Sequence, residues 1–144
     1  MNAMALISSY LLRLFVVILI SCALAGCNDT VTTRFADFQQ AQSAGAFERG
    51  WLPPILPPST TDIVEKNDLD LNLGEGSFSF SPADWDYFIA NGAEVININP
   101  ESGSSQRQKQ NEGFEFLTYA RESTSWLIAV HPEGRGAYWV EQTK

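Results

Sequence analysis

Three runs near the C-terminus decide the fold: Phe114-Glu115-Phe116-Leu117-Thr118-Tyr119, Ser125-Trp126-Leu127-Ile128-Ala129-Val130-His131 and Ala137-Tyr138-Trp139-Val140-Glu141. Each is rich in aromatic and β-branched residues and is flanked by polar or turn-forming ones, as strands are. Glu133-Gly134-Arg135-Gly136 supplies the turn between the last two, so the three predict an antiparallel meander. Upstream, Glu101 to Glu112 has no apolar residue other than Gly103 and reads as a polar surface loop over 101–112. Val95, Ile96 and Ile98 suggest a short strand before Asn99-Pro100. Ser81-Pro82-Ala83-Asp84 is a helix start, with serine as cap, proline first and an acid third. Trp85, Phe88 and Ile89 give that helix one apolar face, and Asn91-Gly92 ends it.

Further upstream, Phe78 and Phe80 alternate as in a strand, Gly74-Glu75-Gly76 reads as a turn, and Asp68 to Leu73 alternates acids or amide with Leu69, Leu71 and Leu73. That alternation predicts a half-buried strand with the leucines inward. Gly50 to Pro58 carries four prolines in its last six residues. Proline fixes φ and offers no N–H, so this strip is extended and is no interior strand. Arg34 to Ala44 places Phe35, Phe38 and Ala41 on one helical face, with Thr32 or Thr33 as cap and Gly45 as end. The sum is an α+β fold: a small single domain over 34–144, with two short helices packed on a mainly antiparallel sheet of about five strands.

The N-terminus speaks of location. Leu14 to Ala25 is an uncharged apolar run after Arg13, too short for a bilayer-spanning helix of roughly 20 residues. Basic residue, short apolar run and small residues at the end predict a signal peptide, 1–26. Leu24-Ala25-Gly26-Cys27 resembles the lipobox of bacterial lipoproteins. The resemblance implies cleavage before Cys27, a diacylglycerol on its sulfur and an acyl chain such as palmitate on its amine. Each buried methylene contributes about 0.8 kcal/mol, so three chains make a lasting membrane anchor. The expected location is then the cell envelope, facing the periplasm, with residues 27–33 as tether. In the enterobacterial lipoproteins that the lipobox resembles, an aspartate directly after the lipidated cysteine favours the inner membrane; here Asn28 stands between Cys27 and Asp29, so the resemblance implies the outer membrane.

Removing 26 of the 144 residues leaves 118, with 8 basic residues against 17 acidic ones, a charge of −9 where the whole chain has −8. Cys22 leaves with the signal, so no disulfide is available to the mature chain. Acidity argues against nucleic acid, which Lys and Arg bind by neutralising phosphates. One histidine cannot serve a site that needs two, and two cysteines cannot build a four-thiolate zinc cage. No cofactor or metal site is expected.

Plainer readings account for the candidate sites. Asp68, Asp70 and Asn72 are spaced as a calcium loop begins, but Leu73 stands where such a loop needs glycine, and Ser79 where it needs glutamate. Ser123, Ser125 and His131 have no nucleophile-elbow spacing. Asp84 and Asp86, or Glu112 and Glu115, are paired acids, yet a cap and a polar loop account for them. No catalytic residue is assigned. Tyr138 and Trp139 are neighbours on what reads as an edge strand, so at least one of the pair is a candidate partner contact. Trp51, Trp85 and Trp126 read as core.

Glu48-Arg49-Gly50-Trp51-Leu52-Pro53, then Leu56-Pro57-Pro58-Ser59, Thr61-Asp62-Ile63 and Asp68-Leu69-Asp70-Leu71-Asn72, resemble the YbbD-type head domain of small uncharacterised bacterial proteins. Thr60 and Leu71 depart from it, where alanine and threonine are usual. The resemblance spans about a third of the chain and brings no activity with it. Physically, Arg49, Gly50, Trp51 and Pro53 suggest a structural clamp: a tight turn, a large flat side chain and a rigid strip, with Arg49 expected to pair with Asp62 or Asp68. The expected function is a non-catalytic, lipid-anchored envelope protein acting by contact with another envelope component. The alternatives are an immunity-type lipoprotein that neutralises a basic periplasmic toxin, or a small hydrolase using acids around Asp68 to Asn72.

Overall fold

The computed structural model describes residues 30–98 and 103–142. The expected signal peptide, the expected lipid site at Cys27 and the first residues of the expected tether lie outside them. Seven strands form one sheet: β1 (Thr30–Asp37), β2 (Thr61–Asp68), β3 (Leu73–Ser79), β4 (Glu94–Ile96), β5 (Glu115–Arg121), β6 (Thr124–His131) and β7 (Arg135–Gln142). Their order across the sheet is β1-β2-β3-β7-β6-β5-β4, and every neighbouring pair is antiparallel. The helices are short: α1 (Phe38–Ser43), a 3-10 turn (Pro82–Asp84) running into α2 (Trp85–Ala90), and α3 (Ser104–Asn111). The fold is therefore mostly sheet, with more strands than the sequence predicts and a third helix.

The C-terminal meander forms as expected, with Trp126↔Val140 and Ile128↔Tyr138 paired across β6 and β7. Its last strand is not an edge. β7 is the central strand, because β3 pairs along its other side from Leu73↔Glu141 to Ser79↔Arg135.

The N-terminal third differs more. Thr30 to Thr33, assigned to the tether, already belong to β1, and the helix expected from Arg34 begins only at Phe38. Thr-Val-Thr-Thr is a β-branched run that suits a strand, and Asp37 caps α1 by accepting from Gln40 N at 2.8 Å. Gly74 and Gly76, assigned to a turn, lie inside β3. Glycine is needed there because the other strands fill the space: a Cβ on Gly76 would land on the Tyr138 ring, and one on Gly74 would lie 2.8 Å from Val140 Cγ1. Phe78 returns the favour by sitting over Gly136 of β7. The turn is instead Leu69 to Asn72, where Asp68 Oδ1 accepts from the backbone N–H of Asp70 (3.1 Å) and Leu71 (3.0 Å). Leu69, Leu71 and Leu73, expected inward, are exposed. The stretch 101–112, expected as a loop, holds α3, which is polar on every side.

One face of the sheet carries the main core. Phe35, Ile63, Phe78, Leu117, Ile128 and Tyr138 pack there against Ala41 of α1, Phe88 of α2 and the strip residues Leu52, Ile55 and Leu56. Phe80 meets Phe88 edge to face at 5.3 Å. The opposite face is covered only in part, by a smaller cluster of Phe114, Phe116, Ala129 and Ala137 with Ile96, Leu127 and Trp139 beside it.

Candidate functional site

Neighbouring residues on a strand face opposite sides, and β7 uses this at Tyr138 and Trp139. Tyr138 is fully buried in the main core, so it is no surface contact. Trp139 points to the other face, is only half-buried, and stacks on Phe116 with ring centroids 6.3 Å apart. It forms one wall of a groove between α3 and strands β2, β3 and β7. The groove is about 420 Å³, bounded by Thr30, Lys66, Asp68, Leu73, Glu75 and Glu141, with Gln106 of α3 on the other side. A second hollow of about 250 Å³ continues it past Trp139 to Ser77, Ala137, Ser105 and Lys109. The larger hollow alone is within the usual size range of binding pockets, roughly 300 to 1,000 Å³. Lys66 and Glu75, directly opposite each other on β2 and β3, form an ion pair at 3.0 Å along it. Exposed pairs of this kind contribute little to stability. At the far end Lys109 lies 4.6 Å over the Phe114 ring, and Arg135 approaches the same ring at 5.3 Å. The arrangement offers an aromatic wall, paired charges and hydrogen-bonding side chains.

The residues expected as a clamp all lie on the connection between α1 and β2. Arg49 Nη1 donates to the Ala44 carbonyl at 2.8 Å rather than to Asp62 or Asp68, because the chain leaving α1 brings that carbonyl within reach. Asp68 is occupied with its own turn. The Arg49 carbonyl accepts from Gln142 Nε2 of β7 at 3.3 Å. Gly50 has φ +76°, a left-handed value that favours glycine. Trp51 is half-buried and packs where Gly74 leaves room, and Pro53 is fully buried.

Under the clamp lies a polar pocket that the sequence reading missed. Glu65 and Asn67 of β2 face the main core at 2% and 4% exposure. Asn67 Nδ2 donates to Glu65 Oε1 at 2.6 Å. Glu65 Oε2, Asn67 Oδ1, Trp126 Nε1 and Tyr138 OH have no hydrogen-bond partner among the described residues. Burial pushes the Glu65 carboxyl above its ordinary range, and the Asn67 hydrogen bond and the Arg49 charge pull it back only in part. Burial first, then the Glu65 charge, hold the Tyr138 hydroxyl well above its ordinary value. The available signal was the alternation Ile63-x-Glu65-x-Asn67, which becomes readable once β2 is placed.

Among the described residues no group of three or more His, Cys, Asp or Glu is arranged to hold a metal ion. His131, 15% exposed at its side chain, lies 3.5 Å from Glu133, and its ring packs against Phe114.

Residues 29–79, which take in β1, α1, the proline strip, β2 and β3, match the family model of the YbbD head domain. The match ends where β3 ends and takes in none of β4 to β7. No curated protein and no solved structure matches the chain.

Proposed function

We propose that this is a lipid-anchored cell-envelope protein that works without catalysis, by holding another envelope component in the groove beside Trp139. The groove carries the reading: a half-buried tryptophan at the centre of a sheet face, flanked by two connected hollows, is the kind of anchor that dominates contact surfaces. Its walls come from both the head-domain segment and the C-terminal meander, so the site belongs to the whole domain. The lipobox-like Leu24-Ala25-Gly26-Cys27 supports the anchor and the periplasm-facing location, and Asn28 after Cys27 supports the outer membrane. Among the described residues no helix is long and apolar enough to cross a membrane.

The test is a pull-down of the full-length protein from envelope fractions, with Trp139→Ala in parallel. A protein retained by the wild type and lost in the variant, with equal melting temperatures, supports the reading. Equal capture by both contradicts it. Incorporation of a fatty-acid analogue, compared with Cys27→Ser, tests the anchor, and equal labelling of the two refutes it.

A further inference from the structure

The β2–β3 turn leaves Leu69, Leu71 and Leu73 exposed at 52%, 65% and 42%, and Val31 of β1 joins them at 48%. These are four of the six large hydrophobic side chains that stand out on the surface of the described residues, and they gather at one end of the sheet. The turn is not a loose loop. Asp68 Oδ1 holds the N–H groups of Asp70 and Leu71, Asn72 adopts φ +52°, and its carbonyl accepts from Gln142 N of β7 at 3.1 Å. Closing a hairpin needs only two residues such as Asn-Gly. Here the acids of the Asp68-Leu69-Asp70-Leu71-Asn72 motif fasten a longer turn and hold its leucines outward.

The same end of the sheet is where the chain comes in. Thr30 stands opposite Asp68 in the β1–β2 ladder, three residues after Cys27. Three Cα–Cα steps reach at most about 11 Å. We propose that the Leu69–Asn72 turn, with Leu73 at the start of β3 and Val31 of β1, is a membrane-contact tip that dips into the lipid headgroup region and fixes the orientation of the domain. The inference rests on the anchor reading above, because an acylated Cys27 places Thr30 at the membrane surface and the tip beside it. Apolar insertion, not charge, drives the contact. Asp68 and Asp70 flank the leucines, so the tip suits a zwitterionic surface and is disfavoured by an anionic one. With the tip seated, the groove beside Trp139 opens close to the membrane, since Thr30, Asp68 and Leu73 bound both.

The test uses full-length acylated protein reconstituted in phosphatidylcholine vesicles. An environment-sensitive dye is attached at Leu71→Cys, at Leu69→Cys or, as control, at Glu94→Cys on the outermost strand at the far edge. Lipids with a nitroxide on the acyl chain serve as quenchers, and acylation of Cys27 is read on the same samples. The tip predicts blue-shifted emission and several-fold stronger quenching at 71 and 69 than at 94, weakened when anionic lipid is added. Equal quenching at all three sites of acylated protein overturns the tip and leaves the anchor standing. Absence of acylation overturns the anchor reading and the tip with it. A blue shift seen only in native envelope, never in pure lipid, assigns the leucines to a protein partner instead.

Discussion

The two halves of the sheet are built on different terms. The N-terminal half, β1 to β3, fills its inward positions with Glu65, Asn67, Gly74 and Gly76 beside Ile63 and Phe78, and Trp51 and the proline strip pack over them. The C-terminal half, β4 to β7, is apolar on both faces near its centre, with Ile128, Val130 and Tyr138 on one and Phe116, Ala129 and Ala137 on the other. The family match ends with the first half, yet that half does not close on itself here. Its last strand receives Tyr138 and Val140 into the spaces at Gly76 and Gly74, and gives Phe78 to Gly136 in return. The head-domain segment and the meander are thus one packing unit.

The joint is the place to break the comparison. Gly76→Val puts side-chain atoms onto the Val64 carbonyl and the Tyr138 ring, and backbone on one side cannot move aside. A loss above about 3 kcal/mol is expected by denaturant unfolding, with both halves melting together. Tyr138→Ala empties the same joint from the other side and should cost about 3 to 5 kcal/mol. Tyr138→Phe should be neutral or stabilising by up to about 1 kcal/mol, since its hydroxyl has no partner among the described residues. A large loss in the phenylalanine variant would show that the hydroxyl is bonded.

The polar pocket of the N-terminal half makes the stability of the whole domain depend on pH. The Glu65 carboxyl titrates above its ordinary value of 4.5 in the folded chain. Below 4.5 both states hold the proton, and the contribution is fully present. As pH rises past 4.5 the unfolded chain loses its proton first, so stability falls until the folded carboxyl also ionises. Glu65→Gln should therefore flatten this decline in melting temperature across the window above pH 4.5. An unchanged profile would mean that Glu65 is solvated. Trp51→Ala is expected to cost about 1 to 3 kcal/mol, below the value for a fully buried ring, because Trp51 keeps one side in solvent. Leu71→Ser, on the exposed turn, should change stability by less than about 0.5 kcal/mol while weakening membrane contact.

The same contrast explains what the sequence discloses. The meander was readable because strong aromatic and β-branched runs are cut by clear turns, and nothing competes with that signal. The head segment was readable as a motif, but its elements were misplaced, since period-two alternation does not separate a strand from a turn rich in Asp and Asn. Asp68 to Leu73 carries the pattern of a strand and the chemistry of a turn, and side-chain capping decides for the turn. The glycines of β3 read as a turn because the Tyr138 and Val140 side chains that need their space lie more than sixty residues away. That one of Tyr138 and Trp139 faces away from the core was legible from strand alternation, whereas the groove was not, because α3 reaches it from a stretch with no apolar face.

The reading of the groove as a contact site is tested most directly by photo-crosslinking in the intact envelope from its two opposite sides, Glu75 of β3 in the head segment and Gln106 of α3. The expected result is the same crosslinked partner from both positions, lost from both when Trp139→Ala is introduced. Adducts to unrelated proteins, or none from either position, would contradict it.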